Sequence, residues 1–222
     1  MKVEIYKIIH SQRKTIALLV DKNCNLIVKA PLSISIDYIE KIVEKKKNWI
    51  IEKKNELSLR KKLVRDFSDS CTIKIFDESY TIKYVENFEF AIKLKNNIIF
   101  IDIELKKQVR ALLKLLIKKI ARFYFERQVA LWADKMQLKY KQIRIKDISS
   151  RWGSCSGAGN LNFNWKLALA PKEVSDYVIV HELSHLRYLN HSSDFWNEVE
   201  KFFPEYKKSK KWLKEYGYLL EL

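Results

Sequence analysis

The run His181-Glu182-Leu183-Ser184-His185, followed by His191, constrains this chain more than any other feature. The chain has 4 histidines, and three of them fall within residues 181–191. HExxH puts two imidazoles one helical turn apart, on one face of a helix. His191 stands far enough beyond His185 for the chain to leave the helix and return to that face. Two such imidazoles and a third protein ligand suit zinc, with one position left for water. Glu182, next to the first histidine, is then placed to take a proton from that water. The competing reading is a buried structural helix with satisfied core histidines, because Val174, Tyr177, Val178, Val180 and Leu183 are apolar. The low histidine background favours the metal site.

Apolar content of 47% supplies a core, and with only 4 glycines and 3 prolines no linker or disordered segment is expected. Charges interrupt every apolar run of the N-terminal MKVEIYKIIHSQRKTIALLV, so no secretory h-region is expected. No stretch is long and apolar enough to read as a membrane span. The 3 cysteines, Cys24, Cys71 and Cys155, are scattered without a CxxC, which points to reduced thiols and a cytoplasmic protein.

Net charge is +16, and the excess sits mostly in residues 105–222. Two clusters stand out: Lys106, Lys107, Arg110, Lys114, Lys118, Lys119 and Arg122, and then Lys207, Lys208, Lys210, Lys211 and Lys214. Contact with DNA or another polyanion is therefore a second expectation. It gives two alternatives to a plain zinc-dependent hydrolase: a basic nucleic-acid-associated module with a structural or vestigial metal site, or a protease recruited to DNA. A solvated lysine face would look the same in sequence.

Periodicity gives the elements. Alternation predicts strands from Val3, over Thr15–Val20 and over Asn25–Ala30, with a turn at Asp21-Lys22-Asn23. One helix capped by Ser35 or Asp37 then runs to about Leu57. Short strands follow at 72–76, 80–85, 90–94 and 98–103, the last two joined by an Asn96-Asn97 turn. A long helix covers about 104–138, with Leu113, Ile117 and Ile120 at helical spacing. Strands are expected at 142–148 and 160–169, the latter with Leu161, Phe163 and Trp165 on one face. The helix opening at Pro171 runs to about Tyr188, and Asn190 is suited to the left-handed conformation that ends a helix. Ser192, Ser193 or Asp194 caps a helix carrying Phe195 and Trp196, and a last helix covers about 205–216.

These residues resemble the YgjP-like metallopeptidase group, metal-dependent hydrolases related to SprT-type zincins. The resemblance is carried by Arg151-Trp152-Gly153-Ser154-Cys155-Ser156, Asn162-Phe163-Asn164-Trp165-Lys166-Leu167, Asp176 to Leu186, and Asn190-His191-Ser192 with Phe195-Trp196. Looser similarity lies in Arg13-Lys14-Thr15, Val28-Lys29-Ala30-Pro31, Lys47-Asn48-Trp49-Ile50, Pro204 and Trp212-Leu213. The resemblance implies Zn2+ held by His181, His185 and His191, Glu182 as general base, and a peptide or protein substrate. Tyr188 stands where metzincins carry glycine, so that grouping does not apply.

The expected fold class is α+β. A zincin-like catalytic half (105–222), with a long helix, a small sheet, the HExxH helix and C-terminal helices, follows a β-rich N-terminal lobe (1–104). Arg151 is the candidate oxyanion stabiliser, with Tyr188 a weaker one. The alternative for Arg151 is an ion pair with Asp147 or Asp176. Glu198 or Glu200 becomes the third ligand if His191 points away, and Cys155 is a candidate fourth ligand. The 160–169 strand is the expected edge along which an extended peptide adds.

Overall fold

The computed structural model describes residues 3–21, 23–62 and 66–222. The chain divides into two compact units, Met1–Val64 and Arg65–Leu222.

In the first unit, β1 (Lys7–Ser11), β2 (Ala17–Val20) and β3 (Leu26–Pro31) form a sheet in the order β1-β3-β2. β3 runs parallel to β1 and antiparallel to β2. In the β2–β3 turn, Asp21 Oδ1 accepts from the Asn23 and Asn25 amides, while Lys22 lies outside the described residues. Leu26, Val28 and Ala30 on one face of β3 pack with Ile39, Val43 and Ile50. The single helix expected up to Leu57 is two: α1 (Ile36–Lys45), capped by Ser35, and α2 (Lys47–Lys62). The break falls at Lys46, which leaves helical geometry at φ −104°, ψ 11°.

The second unit begins with β4 (Thr72–Ile75), β5 (Glu78–Val85), β6 (Ile92–Lys95) and β7 (Ile98–Asp102), ordered β4-β5-β7-β6. Asn96 and Asn97 both take positive φ, as a tight hairpin turn requires. A short 3-10 turn, Ile103–Gln108, leads into α3 (Val109–Lys135), so the regular helix starts later than the 104 expected. Its buried residues, Leu113, Ile117, Ala121, Phe125, Val129 and Ala133, make one stripe at four-residue spacing.

β8 (Gln142–Lys146), β9 (Gly153–Cys155) and β10 (Asn160–Asn164) form a third sheet in the order β8-β10-β9. The segment 160–169 is therefore central, and the edge belongs to β9 and β8. β10 also stops at Asn164. The Asn164 side chain accepts from the Lys166 amide and donates to the Ile148 and Arg151 carbonyls, turning the chain into a 3-10 segment, Trp165–Leu169. Three helices close the chain: α4 (Lys172–Ser184), α5 (Ser193–Phe202) and α6 (Tyr206–Tyr216).

One core joins Ile73, Ile82 and Ile99 of the four-stranded sheet to Phe125 of α3, Phe163 of β10 and Val180 of α4. Phe125 and Phe163 stack face to face at 4.6 Å. The sheet expected to belong to an N-terminal lobe thus shares its apolar face with the HExxH helix, and residue 104 falls inside the second unit. The molecule is mixed α+β, and among the described residues no helix is long and apolar enough to cross a membrane.

Candidate metal centre

α4 is buried on most of its circumference: Val174, Ser175, Tyr177 to Val180 and Glu182 to Ser184 are all inside. Its two polar serines are satisfied, Ser175 Oγ donating to the Leu167 carbonyl and Ser184 Oγ to the Val180 carbonyl. The helix ends sooner than expected, at Ser184. His185 is its C-cap, and turn hydrogen bonds carry the chain on to Tyr188. Asn190 does not take the positive φ expected of it. Ser192 Oγ accepts from the Phe195 amide and starts α5, which leaves His191 just ahead of that helix.

The three histidines converge. Their ring centroids lie 5.0 Å (His181–His185), 5.0 Å (His181–His191) and 4.8 Å (His185–His191) apart. Their ligand atoms all fall within 4.8 Å of one another. His181 Nε2 and His191 Nε2 face each other at 3.2 Å. Two zinc–nitrogen bonds at tetrahedral angle place their nitrogens about 3.3–3.4 Å apart, so the pair matches a shared metal ion. His185 Nδ1 lies 3.0 Å from the Tyr188 carbonyl, to which it donates, leaving Nε2 as the lone pair. Among the described residues His181 Nδ1, which is buried, has no hydrogen-bond partner. That is not the environment of a satisfied core histidine.

Protonation agrees with a ligand role. Burial, reinforced by His185, His191 and Lys210, pulls His181 down to about 3, so its imidazole is neutral at neutral pH. Burial and the same neighbours His185 and Lys210 lower His191 as well. Fully buried Phe195 lies under the cluster, its ring 4.9 Å, 4.6 Å and 4.8 Å from His181, His185 and His191. Trp196 stacks on His191 at 5.6 Å.

Glu182, about 100° round α4 from its chain neighbour His181, lies against β9. A Cβ on Gly153 would sit 2.5 Å from Glu182 Oε1, so only glycine lets the strand lie this close to the carboxylate. Burial raises the Glu182 carboxyl to about 8, opposed by the Arg151 charge. Arg151 is exposed and immediately precedes β9's neighbour Trp152. Asp147 is engaged instead by Lys114 at 2.5 Å and Trp165 Nε1 at 2.9 Å, and Asp176 by the Tyr124 hydroxyl at 2.8 Å. Neither ion pair expected for Arg151 forms.

The other candidate ligands are occupied elsewhere. Buried Glu198 accepts from Arg187, whose second guanidinium nitrogen donates to the Met136 carbonyl at 2.9 Å. Glu200 pairs with Lys207 at 3.1 Å. Burial, and then Glu182, push the Cys155 thiol up to about 11, so it is protonated and lies outside the histidine cluster. Tyr188 contributes its carbonyl to His185.

Sequence reading missed the Gly153–Glu182 approach, the Phe195 floor and the Arg187–Glu198 clasp. A strand glycine in so glycine-poor a chain was the available signal for the first. Much of the basic surface is also paired: Lys114 and Lys118 with Asp147, Arg122 with Glu126, Lys208 with Glu205 and Lys211 with Glu215. The polyanion expectation gains no support from it. An open groove of about 1120 Å³ lies in the first unit between residues 3–8 and α1, and carries no histidine cluster.

An α+β body with a histidine cluster beside a buried carboxylate suits a metal-dependent hydrolase. The chain matches the family described as "YgjP-like, metallopeptidase domain" over residues 14–216 and belongs to that family. It is a metal-dependent peptidase at family level. It is similar to the structure titled "Crystal structure of the metallopeptidase zymogen of Pyrococcus abyssi abylysin", with 27% identity over 40% of this chain and 92% of that chain, at a TM-score of 0.37. No curated protein matches.

Proposed function

We propose that the chain is a zinc-dependent peptidase in which His181, His185 and His191 hold the metal and Glu182 is the general base. The supporting observation is the cluster itself: three ligand atoms within 4.8 Å, on one side of a helix whose next residue is a buried carboxylate. Zinc, when bound, supplies Lewis-acid polarisation of a water and of the scissile carbonyl. Glu182 takes the proton from that water at a carboxylate oxygen and delivers it to the departing amine. Arg151, whose charge already reaches Glu182, stabilises the carbonyl oxygen as it becomes negative.

The substrate adds in extended form along the free edge of β9, beside Glu182. Among the described residues β9 pairs through its other edge alone, with β10. Three free cysteines support a reducing compartment, the cytoplasm.

Replacing Glu182 by Gln removes the base and keeps the size of the side chain. Hydrolysis of unstructured protein substrates is expected to vanish while zinc content stays unchanged. Undiminished hydrolysis by this variant would remove Glu182 from the mechanism.

A further inference from the structure

Lys210 of α6 stands apart from the other lysines of its cluster. Lys207 pairs with Glu200, Lys208 with Glu205 and Lys211 with Glu215. Among the described residues Lys210 pairs with no carboxylate; its Nζ lies over the Trp196 ring, 3.9 Å from the centroid. That same ring stacks on His191 at 5.6 Å and lies 5.7 Å from His181. Tyr206, stacked on Trp196 at 5.2 Å, fixes the indole. An aromatic wall thus holds an uncompensated ammonium group at the rim of the histidine cluster.

The placement is costly for a metal site alone. A fixed positive charge repels a divalent cation, and Lys210 sits on the indole that itself stacks on His191. The charge offers a partner to an anionic group that arrives with the substrate. Exposed Arg151, two residues before the Gly153 that lies against Glu182, supplies a second cation on that side.

We propose that Lys210 is a specificity-determining residue that binds a carboxylate of the substrate, so that the site selects peptides with a negative charge next to the scissile bond. This rests on the metallopeptidase reading of the same site. The carboxylate comes either from an acidic side chain or from a free C-terminus. An ammonium over an indole suits either, donating hydrogen bonds to the oxygens while the ring supports its charge.

The test is binding, which needs no turnover. Zinc-loaded protein is titrated calorimetrically with two hydroxamates that differ only in a carboxylate or a carboxamide two bonds beyond the metal-binding group. Wild type is expected to prefer the carboxylate by about tenfold, the size of one charge-assisted hydrogen bond. Lys210→Gln is expected to bring the ratio close to one, and Lys210→Arg to keep it. An equal ratio in wild type, or a preference surviving in Lys210→Gln, refutes the role of Lys210. Failure of both hydroxamates to bind removes the metal centre itself and the inference with it. Matched quenched-fluorescent peptides then distinguish the source of the carboxylate. Loss of preference on C-terminal amidation identifies the terminus, and loss on Glu-to-Gln exchange in the peptide identifies a side chain.

Discussion

Gly153→Ala is the most informative single substitution outside the metal cluster. The added methyl group would stand 2.5 Å from Glu182 Oε1, 2.7 Å from Cγ and 2.8 Å from Cδ. Ordinary contact begins at 3.4 Å, so the carboxylate or the strand must yield by about 0.9 Å. The strand is held by the pairing of Gly153 with Phe163, whose ring is fully buried against Phe125. The carboxylate is therefore what moves. Overpacking of this kind costs about 1–3 kcal/mol, which a domain of ordinary stability survives. A catalytic group displaced by ~1 Å costs on the order of 100-fold in rate. The variant is expected to fold, to keep its zinc, and to melt several degrees lower, while kcat/KM for a quenched-fluorescent peptide falls about 100-fold. Wild-type activity in Gly153→Ala would refute the placement of Glu182 against β9. Zinc lost in step with activity would show that the histidines, not the carboxylate, had moved.

Two further outcomes follow from buried and paired charges. Arg187→Leu leaves the Glu198 carboxylate, whose side chain is only 9% exposed, without its guanidinium partner. Breaking a buried pair costs about 3–5 kcal/mol, and the partial exposure of Arg187 places this one at the lower end. Chemical denaturation of the two proteins gives the difference, and a change below 1 kcal/mol would mean that the clasp is solvent-screened. Asp147 is held below its ordinary value by hydrogen bonds from Lys114 and Trp165. Its stabilising contribution is therefore present above the unfolded-state pKa of about 3.9 and is lost as pH falls through the lower folded-state value. Asp147→Asn is expected to flatten the fall in unfolding free energy below pH 4, and an unchanged slope in urea titrations would contradict it.

The local signals in the sequence were strong where the chain supplies its own partners. HExxH with His191, the asparagine pair at Asn96 and Asn97, and the four-residue stripe of α3 each involve neighbours along the chain. The errors concern partners far away. Alternation in 72–103 shows that Ile73, Ile82 and Ile99 face inward, but not that α3 and α4 cover them, so the sequence alone suggests a boundary at 104. The sequence reads β10 as an edge, whereas its pairing with β8 skips over β9 in the chain, and no periodicity reveals such an order. Asn164 reads as one more strand residue, yet its side chain ends the strand by binding three backbone groups. Glu182 meets Gly153 only because α4 packs on β9, a contact that neither segment encodes alone.

Elemental analysis of the purified protein beside a His191→Ala variant, both offered zinc and then desalted, tests the metal centre most directly. About one zinc per chain in wild type, lost or much weakened in the variant, is expected of the three-histidine site. Zinc held equally by the variant would contradict the assignment of His191 as third ligand, and a wild type that takes up no zinc would contradict the zinc-dependent peptidase proposed here.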